Sequence, residues 1–243
     1  MVSDYALLFI NAAYGPMPIE SFNVGAPIWP IGGFGVWTSI DISETSGLQL
    51  GVYDGNAGDF ASNDDGLNND LGSDDGAMIL MEYFTTTETF GGSTTWKIGG
   101  FHNTGEEFVD FDSGLTEQGL GAIYAVMDHA ISEDLGVWAR LGTTLNDDIS
   151  TVTTYLDGGV VMKSPFASRP DDLLGVAYFW TEFGDAYLRS TPGVTDDESV
   201  LEITYNAPIT ENLYIQPDIQ WIFDAHESND DVFVVGLRVG VEF

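Results

Sequence analysis

The last stretch of the chain, Asp231-Val232-Phe233-Val234-Val235-Gly236-Leu237-Arg238-Val239-Gly240-Val241-Glu242-Phe243, alternates apolar residues with small or charged ones. Successive side chains of a strand point to opposite faces. Phe233, Val235, Leu237, Val239, Val241 and Phe243 therefore share one face, and Val234, Gly236, Arg238, Gly240 and Glu242 the other. Polar, frayed sequence is the rule at a soluble terminus, and a bare apolar strand closing on an aromatic is poorly suited to that setting. It suits the wall of a transmembrane β-barrel, which has lipid outside, water inside and no free edge.

The rest of the chain repeats the pattern. Strands are predicted at Phe34–Ile42, Leu48–Asp54, Ala77–Thr85, Thr95–Asn103, Gly121–His129, Leu135–Leu145, Val152–Lys163, Leu173–Trp180, Val200–Asn206, Leu213–Phe223 and Val232–Phe243. A twelfth, at Tyr5–Asn11, reads as a short strand or a helical turn. Most have the roughly 9–11 residues that a tilted strand needs to cross a bilayer. Short links such as Ala130–Asp134 and Ala207–Asn212 alternate with long ones such as Thr104–Leu120 and Thr181–Ser199, as the turns and loops of an outer-membrane barrel do. Four prolines between Gly15 and Gly33 predict an extended loop without regular structure. Pro217 falls inside a strand and predicts a bulge there. No helix is indicated. Aromatics near strand ends (Trp37, Tyr83, Phe84, Phe101, Phe179, Trp180, Trp221, Phe223, Phe243) predict girdles at the two membrane interfaces.

Composition decides between classes. Six Lys+Arg against 39 Asp+Glu give a formal net charge of −33, which excludes nucleic acid and a basic lipid-binding patch. Aromatics at 13% exclude an acidic disordered tail, so the charge belongs in loops or on a wet face. The absence of cysteine rules out a disulfide framework and a thiolate site. No apolar run reaches the length of a transmembrane helix. Met1–Leu8 has neither the basic nor the apolar region of a signal peptide. An exported barrel needs one, so the expectation is that the start of the protein is missing. The acidic loop Gly55–Gly76 suggests a cation site, but its spacing does not match a calcium-binding loop, and no metal or cofactor is predicted. His102, His129 and His226 lie near strand ends or turns, and no nucleophile elbow, paired metal histidines or phosphate loop is present, so no catalytic site is predicted.

The alternation assigns an inward face. Arg140 lies with Gly136, Trp138 and Gly142, and Arg238 with Glu242; Glu82, Lys97, Asp128, Asp157, Lys163, Glu202, Gln216, Asp218 and Gln220 fall inward on their own strands. A pore for polar solutes needs rings of hydrogen-bonding groups and an aromatic face. The candidate contacts are Arg140, Arg238, Glu82, Asp128, Glu202, Asp218 and Gln220, with Trp138 and Tyr124 as the aromatic faces. Each has a structural alternative, in which Arg140 or Arg238 braces neighbouring acids across the wall.

The chain is also similar to a known family. Arg169-Pro170-Asp171-Asp172-Leu173-Leu174-Gly175, Glu202-Ile203-Thr204-Tyr205, Leu213-Tyr214-Ile215-Gln216-Pro217-Asp218-Ile219-Gln220-Trp221-Ile222 and the closing Val235-Gly236-Leu237-Arg238 to Phe243 resemble the carbohydrate-selective porins of the OprB type. Gly51-Val52-Tyr53-Asp54-Gly55 and Gly121–Asp128 fit as well, so the likeness runs from about Asn11 onward. The resemblance implies one all-β antiparallel barrel of about sixteen strands with loops folded inward to narrow the pore. This chain would supply eleven or twelve of those strands as a single domain over residues 1–243, lacking the first ones. It also implies an outer-membrane location and passive diffusion of small sugars or other neutral solutes. The barrel would sit in outer-membrane lipid, with a homo-oligomer allowed. Basic residues, which line the family's constriction, are scarce here. The competing class is a soluble, secreted all-β binding module with an acidic surface.

Overall fold

A computed structural model of the chain describes residues 1–24, 31–58, 63, 66, 72, 75–105, 108–226 and 228–241. Its frame is one antiparallel sheet of eleven strands, each hydrogen-bonded to its neighbour in sequence. The strands are β1 (Gly35–Ser43), β2 (Ser46–Asp54), β3 (Ala77–Thr89), β4 (Gly92–Asn103), β7 (Leu120–Ala130), β8 (Leu135–Thr144), β9 (Val152–Lys163), β10 (Leu173–Phe183), β11 (Asp197–Thr210), β12 (Leu213–Phe223) and β13 (Val232–Val241). A two-residue hairpin, β5 (Phe108–Val109) and β6 (Thr116–Glu117), stands apart in the β4–β7 link. All eleven predicted strands are present. Among the described residues β1 pairs only with β2, and β13 only with β12, so the sheet is an open wall with two free edges. Phe243, Glu242 and most of the acidic loop lie outside the described residues.

Three links at one end are tight, Glu44-Thr45, Phe90-Gly91 and Glu211-Asn212, while the β9–β10 link at that end spans 164–172; every link at the other end is longer than the tight three. Phe90 turns its hairpin with φ 55°, and Gly91 follows at φ 86°, the left-handed pair that a two-residue hairpin requires.

Period-2 alternation sorts the two faces sharply in β10. Val176 and Tyr178 on the convex face are 40% and 45% exposed, whereas Ala177 and Phe179 on the concave face are 2% and 3% exposed. The same parity puts Ile79, Met81, Ile98, Ile123, Leu141, Leu156, Ile203, Ile219 and Trp221 on an apolar convex band. Tyr83 and Trp221 belong to that band, but Trp37, Phe84, Phe101 and Phe179 do not. The girdle expected of those four fails because they share parity with the concave residues of their strands.

Of the two readings of Tyr5–Asn11 the helical turn holds: a 3-10 turn stands at Ala6–Leu8 and another follows at Ala12–Tyr14, with the Ile10 and Asn11 N–H groups given to Glu202 on the concave face. Two local expectations are corrected. The proline-rich stretch holds one helical turn, α1 (Pro18–Ser21), with Pro18 in the first turn, where its missing N–H costs nothing. A second short helix, α2 (Asp185–Ser190), lies in the β10–β11 link. Pro217 makes no bulge. It stays in register opposite Leu237, and the β11–β12 ladder simply lapses between Thr204↔Asp218 and Ala207↔Ile215, with the irregularity at Pro208/Thr210.

Candidate pore-lining site

Residues 1–24 fill the concave face, and small residues of the wall make room for them. A Cβ on Gly136 would lie 2.1 Å from the Tyr5 ring, one on Gly142 2.3 Å from Ile19, and one on Gly175 2.8 Å from Phe9. The inward glycines are thus seats for side chains of the segment. Phe9, Tyr14, Met17 and Ile19 are all buried there. Tyr14 packs edge-on against Trp138 and Phe179 at 5.7 and 5.6 Å, and Phe9 lies 5.9 Å from Trp138.

Polar groups of the wall bind the backbone of the same segment. Glu202 accepts from the Ile10 and Asn11 N–H groups at 2.6 and 3.1 Å, and Asn11 Nδ2 donates to Gln220 at 3.0 Å. Asp128 accepts from the Ser3 hydroxyl and from the Asp4 N–H at 3.1 Å. Gln216 donates to the Leu8 carbonyl at 2.7 Å, and Lys97 to that of Val2 at 2.7 Å. Asn23 exchanges both hydrogen bonds with the Val152 backbone, at 2.6 and 2.9 Å. Arg140 is the centre. Its guanidinium ion-pairs with Asp157, directly across the β8–β9 ladder, and donates to the carbonyls of Gly15 at 2.6 Å and Ala13 at 3.0 Å. The Tyr155 hydroxyl lies in reach of two acceptors for its one proton, the Ala13 carbonyl at 2.9 Å and Asp157.

The predicted contacts can now be placed. Arg140, Glu82, Asp128, Glu202, Asp218, Gln220, Trp138 and Tyr124 all face the concave side and are buried. Arg140, Asp128, Glu202, Gln220 and Trp138 meet the segment directly, and Glu82 pairs with the Met1 ammonium. Gln220 also donates to Asp218 at 2.8 Å, and Tyr124 to Glu82 at 2.9 Å. Arg238 stands on the edge strand opposite Gln216 and is exposed. Arg140 braces Asp157 across the wall; among the described residues Arg238 has no ion pair, and Glu242 lies outside them. No group of three or more histidines and carboxylates placed to hold a metal occurs among the described residues.

Glu20, in α1, is a buried acid with little support: its Oε2 has no partner among the described residues, and burial pushes its carboxyl from the ordinary 4.5 up to about 7. Between those values the folded chain keeps a proton that the unfolded chain has released. Stability is therefore expected to fall as pH rises through this window, by at most about 3 kcal/mol, and to level off above it. Thermal unfolding measured from pH 4 to 8 should show this slope, and Glu20→Gln should flatten it.

Open space remains beside β1. A cavity of about 350 Å³ lies between the segment and the wall, lined by Trp37, Gln49, Tyr53, Glu82, Lys97 and Tyr124 among others. Gly35 and Gly51 leave the room in which the Tyr53 ring lies, within 2.1 and 2.5 Å of the Cβ either would carry. The candidate contacts read from the sequence omitted Trp37, Gln49 and Tyr53. The signal was available: Trp37 has the parity opposite to Val36 and Ile40, and Gln49 and Tyr53 share parity on β2.

The Arg169-x-x-Asp172-x-x-Gly175 motif is structural. Arg169 Nε donates to Asp172 at 2.8 Å and Nη2 to the Pro208 carbonyl at 3.0 Å, while the Tyr205 hydroxyl donates to Asp172. The guanidinium holds the Asp172 carboxyl below its ordinary range, and the cluster ties the β9–β10 link to β11.

An antiparallel meander with an apolar convex face and ionisable groups on its concave face is the wall of a porin-type barrel. The family model for the carbohydrate-selective porins of the OprB family matches residues 1–243, and the chain belongs to that family. Comparison with curated proteins gave no match. Among solved structures the chain is similar to Pseudomonas putida OprB at high pH, with a TM-score of 0.77 and 18% identity over 88% of this chain and 60% of that one. It is also similar to the outer-membrane channel DcaP of Acinetobacter baumannii, with a TM-score of 0.60 and 13% identity over 100% of this chain and 70% of that one. The chain thus spans less than two thirds of the length of the OprB structure.

Proposed function

We propose that this chain is wall and constriction of an outer-membrane porin that passes sugars and other small neutral solutes down their gradients. The observation that supports it is the inverted section: apolar side chains outward, and Arg140, Asp157, Glu202 and Gln220 buried inward. A soluble binding module would hide the first set and expose the second. The β1 and β13 edges are unpaired among the described residues, and open edges do not persist in lipid. On this reading strands outside residues 1–243 close the barrel. The cavity lined by Trp37, Tyr53, Gln49, Glu82 and Lys97 gives a solute an aromatic face and groups of both hydrogen-bonding kinds. The excess of acid favours neutral or cationic solutes over anions. Chemistry on the solute has no part in this reading.

Reconstitution into planar bilayers tests it: steady conductance that falls as sugar is added is expected, and a protein that stays monodisperse without detergent and never conducts would sink the proposal. Val176→Arg gives an independent check. On a lipid-facing strand it should cost ~2–4 kcal/mol of stability in vesicles; on a soluble surface the same change would be near neutral.

A further inference from the structure

The convex face is not uniformly filled. On β4 the outward residues run Ile98, Gly100, His102, and Gly100 pairs with Met81 on one side and Ile123 on the other. Ile98, Met81 and Ile123 are 65%, 55% and 52% exposed, so the missing side chain at Gly100 leaves a trench between raised walls. Its volume is about 460 Å³, on the scale of small-molecule sites of ~300–1,000 Å³. The concave Gly136, Gly142 and Gly175 are occupied by rings and chains of the N-terminal segment; Gly100 has no such occupant, and the nearest side-chain atom to its Cβ position is Ile123 Cγ2 at 3.4 Å. Glycine inside a strand weakens it, and often marks a close approach by a ligand.

The trench has a polar end. His102 lies at the long-link end of β4, where the missing side chains of Gly119 and Gly121 accommodate its imidazole, within 3.0 and 3.2 Å of their Cβ positions. Among the described residues that ring makes no hydrogen bond. From Ile98 to His102 the trench runs ~13 Å along the strand, at about 3.3 Å per residue.

We propose that this trench is a lipid site, which takes one acyl chain along Gly100 while an imidazole N–H of His102 donates to the ester or phosphate oxygens of the head. The occupant follows from continuity and polarity. The trench opens onto the apolar convex band, so a bilayer chain enters it without leaving hydrocarbon. The hydrogen-bonding group stands where the band gives way to the links, at the depth of lipid head groups. This rests on the reading that the convex face meets a bilayer.

The test uses protein inserted into vesicles of phosphatidylethanolamine and phosphatidylglycerol, extracted with a mild non-ionic detergent and weighed intact. The unmodified protein should retain one phospholipid. Ile123→Trp, which fills the trench, should cut retention at least tenfold, and His102→Ala several-fold. Ile203→Trp, an equivalent outward position away from the trench, should retain lipid as before. Equal retention in Ile123→Trp and the unmodified protein overturns the site. So does full displacement by an equal concentration of detergent, since a headless trench has no preference for a phospholipid. A protein that inserts and conducts but retains nothing loses this inference alone, and one that never inserts loses the porin reading with it.

Discussion

Replacing Asp157 with alanine is expected to destabilise the protein by about 3–5 kcal/mol, because it leaves the Arg140 guanidinium charged, dry and without its carboxylate. Both side chains are fully buried. Arg140 Nε lies 3.1 and 3.0 Å from the two Asp157 oxygens, so no exposed rearrangement offers the charge another anion. The partners across the ladder fix this geometry, since Arg140 stands directly opposite Asp157. The converse experiment separates the pair from its surroundings. Arg140→Met combined with Asp157→Leu removes both charges, and a buried pair replaced by apolar residues is often neutral or stabilising. The sheet of the double variant should therefore recover most of the loss. The N-terminal segment should not, because the Gly15 carbonyl loses its donor and Ala13 keeps only Tyr155. Guanidinium unfolding in vesicles reads the first effect, and amide exchange over residues 9–16 reads the second. If the double variant is as unstable as Asp157→Ala, the pair is not what the cost comes from.

The strands and their faces were legible because both depend on a period of two, which a short window of sequence carries. Arg140, Trp138 and Glu202 could be placed on the inward face from their neighbours alone. What lies against that face could not. The hydrogen bond from Ile10 to Glu202 joins residues 192 positions apart, and alternation along β11 is the same whether Glu202 meets water or a backbone. The prolines of residues 15–33 pointed away from a strand, and none forms among the described residues of that stretch, but they did not foretell the turn at Pro18–Ser21 or where the chain goes. The glycines at 136, 142 and 175 were the one local clue. Inward glycines in strands weaken them, and a wall that accepts that cost must receive something in the space. Trp37, Gln49 and Tyr53 were missed for a different reason: their strands carry few inward charges, so attention to ionisable residues passed over them.

The glycine seats supply the other large effect. Gly136→Val, Gly142→Val and Gly175→Val together should release residues 1–24 from the wall and raise single-channel conductance several-fold. The comparison of magnitudes favours the seats over the Glu202 anchor. Glu202 accepts two hydrogen bonds, about 0.5–1.5 kcal/mol each. Phe9, Tyr14, Met17 and Ile19 are each almost wholly buried, at about 1.5–3 kcal/mol apiece for such side chains, so their packing outweighs the two Glu202 contacts. Glu202→Gln should consequently loosen the segment around Ile10 and leave the mean conductance within about twofold, because one carbonyl oxygen still accepts and the apolar contacts persist. The valines act differently. They improve the strands that carry them, since β-branched residues are favoured there, while occupying the space of the Tyr5 ring, Ile19 and Phe9. Loss of the segment thus comes without loss of the wall, which vesicle insertion and circular dichroism would verify in the same samples. Conductance that stays at the unmodified level, with amide protection of residues 5–19 intact, would mean that the segment can repack over a filled wall and is not seated by the glycines. Higher conductance with unchanged sugar block would place solute contact on wall residues such as Trp37 and Tyr53. Loss of block would place it at the segment.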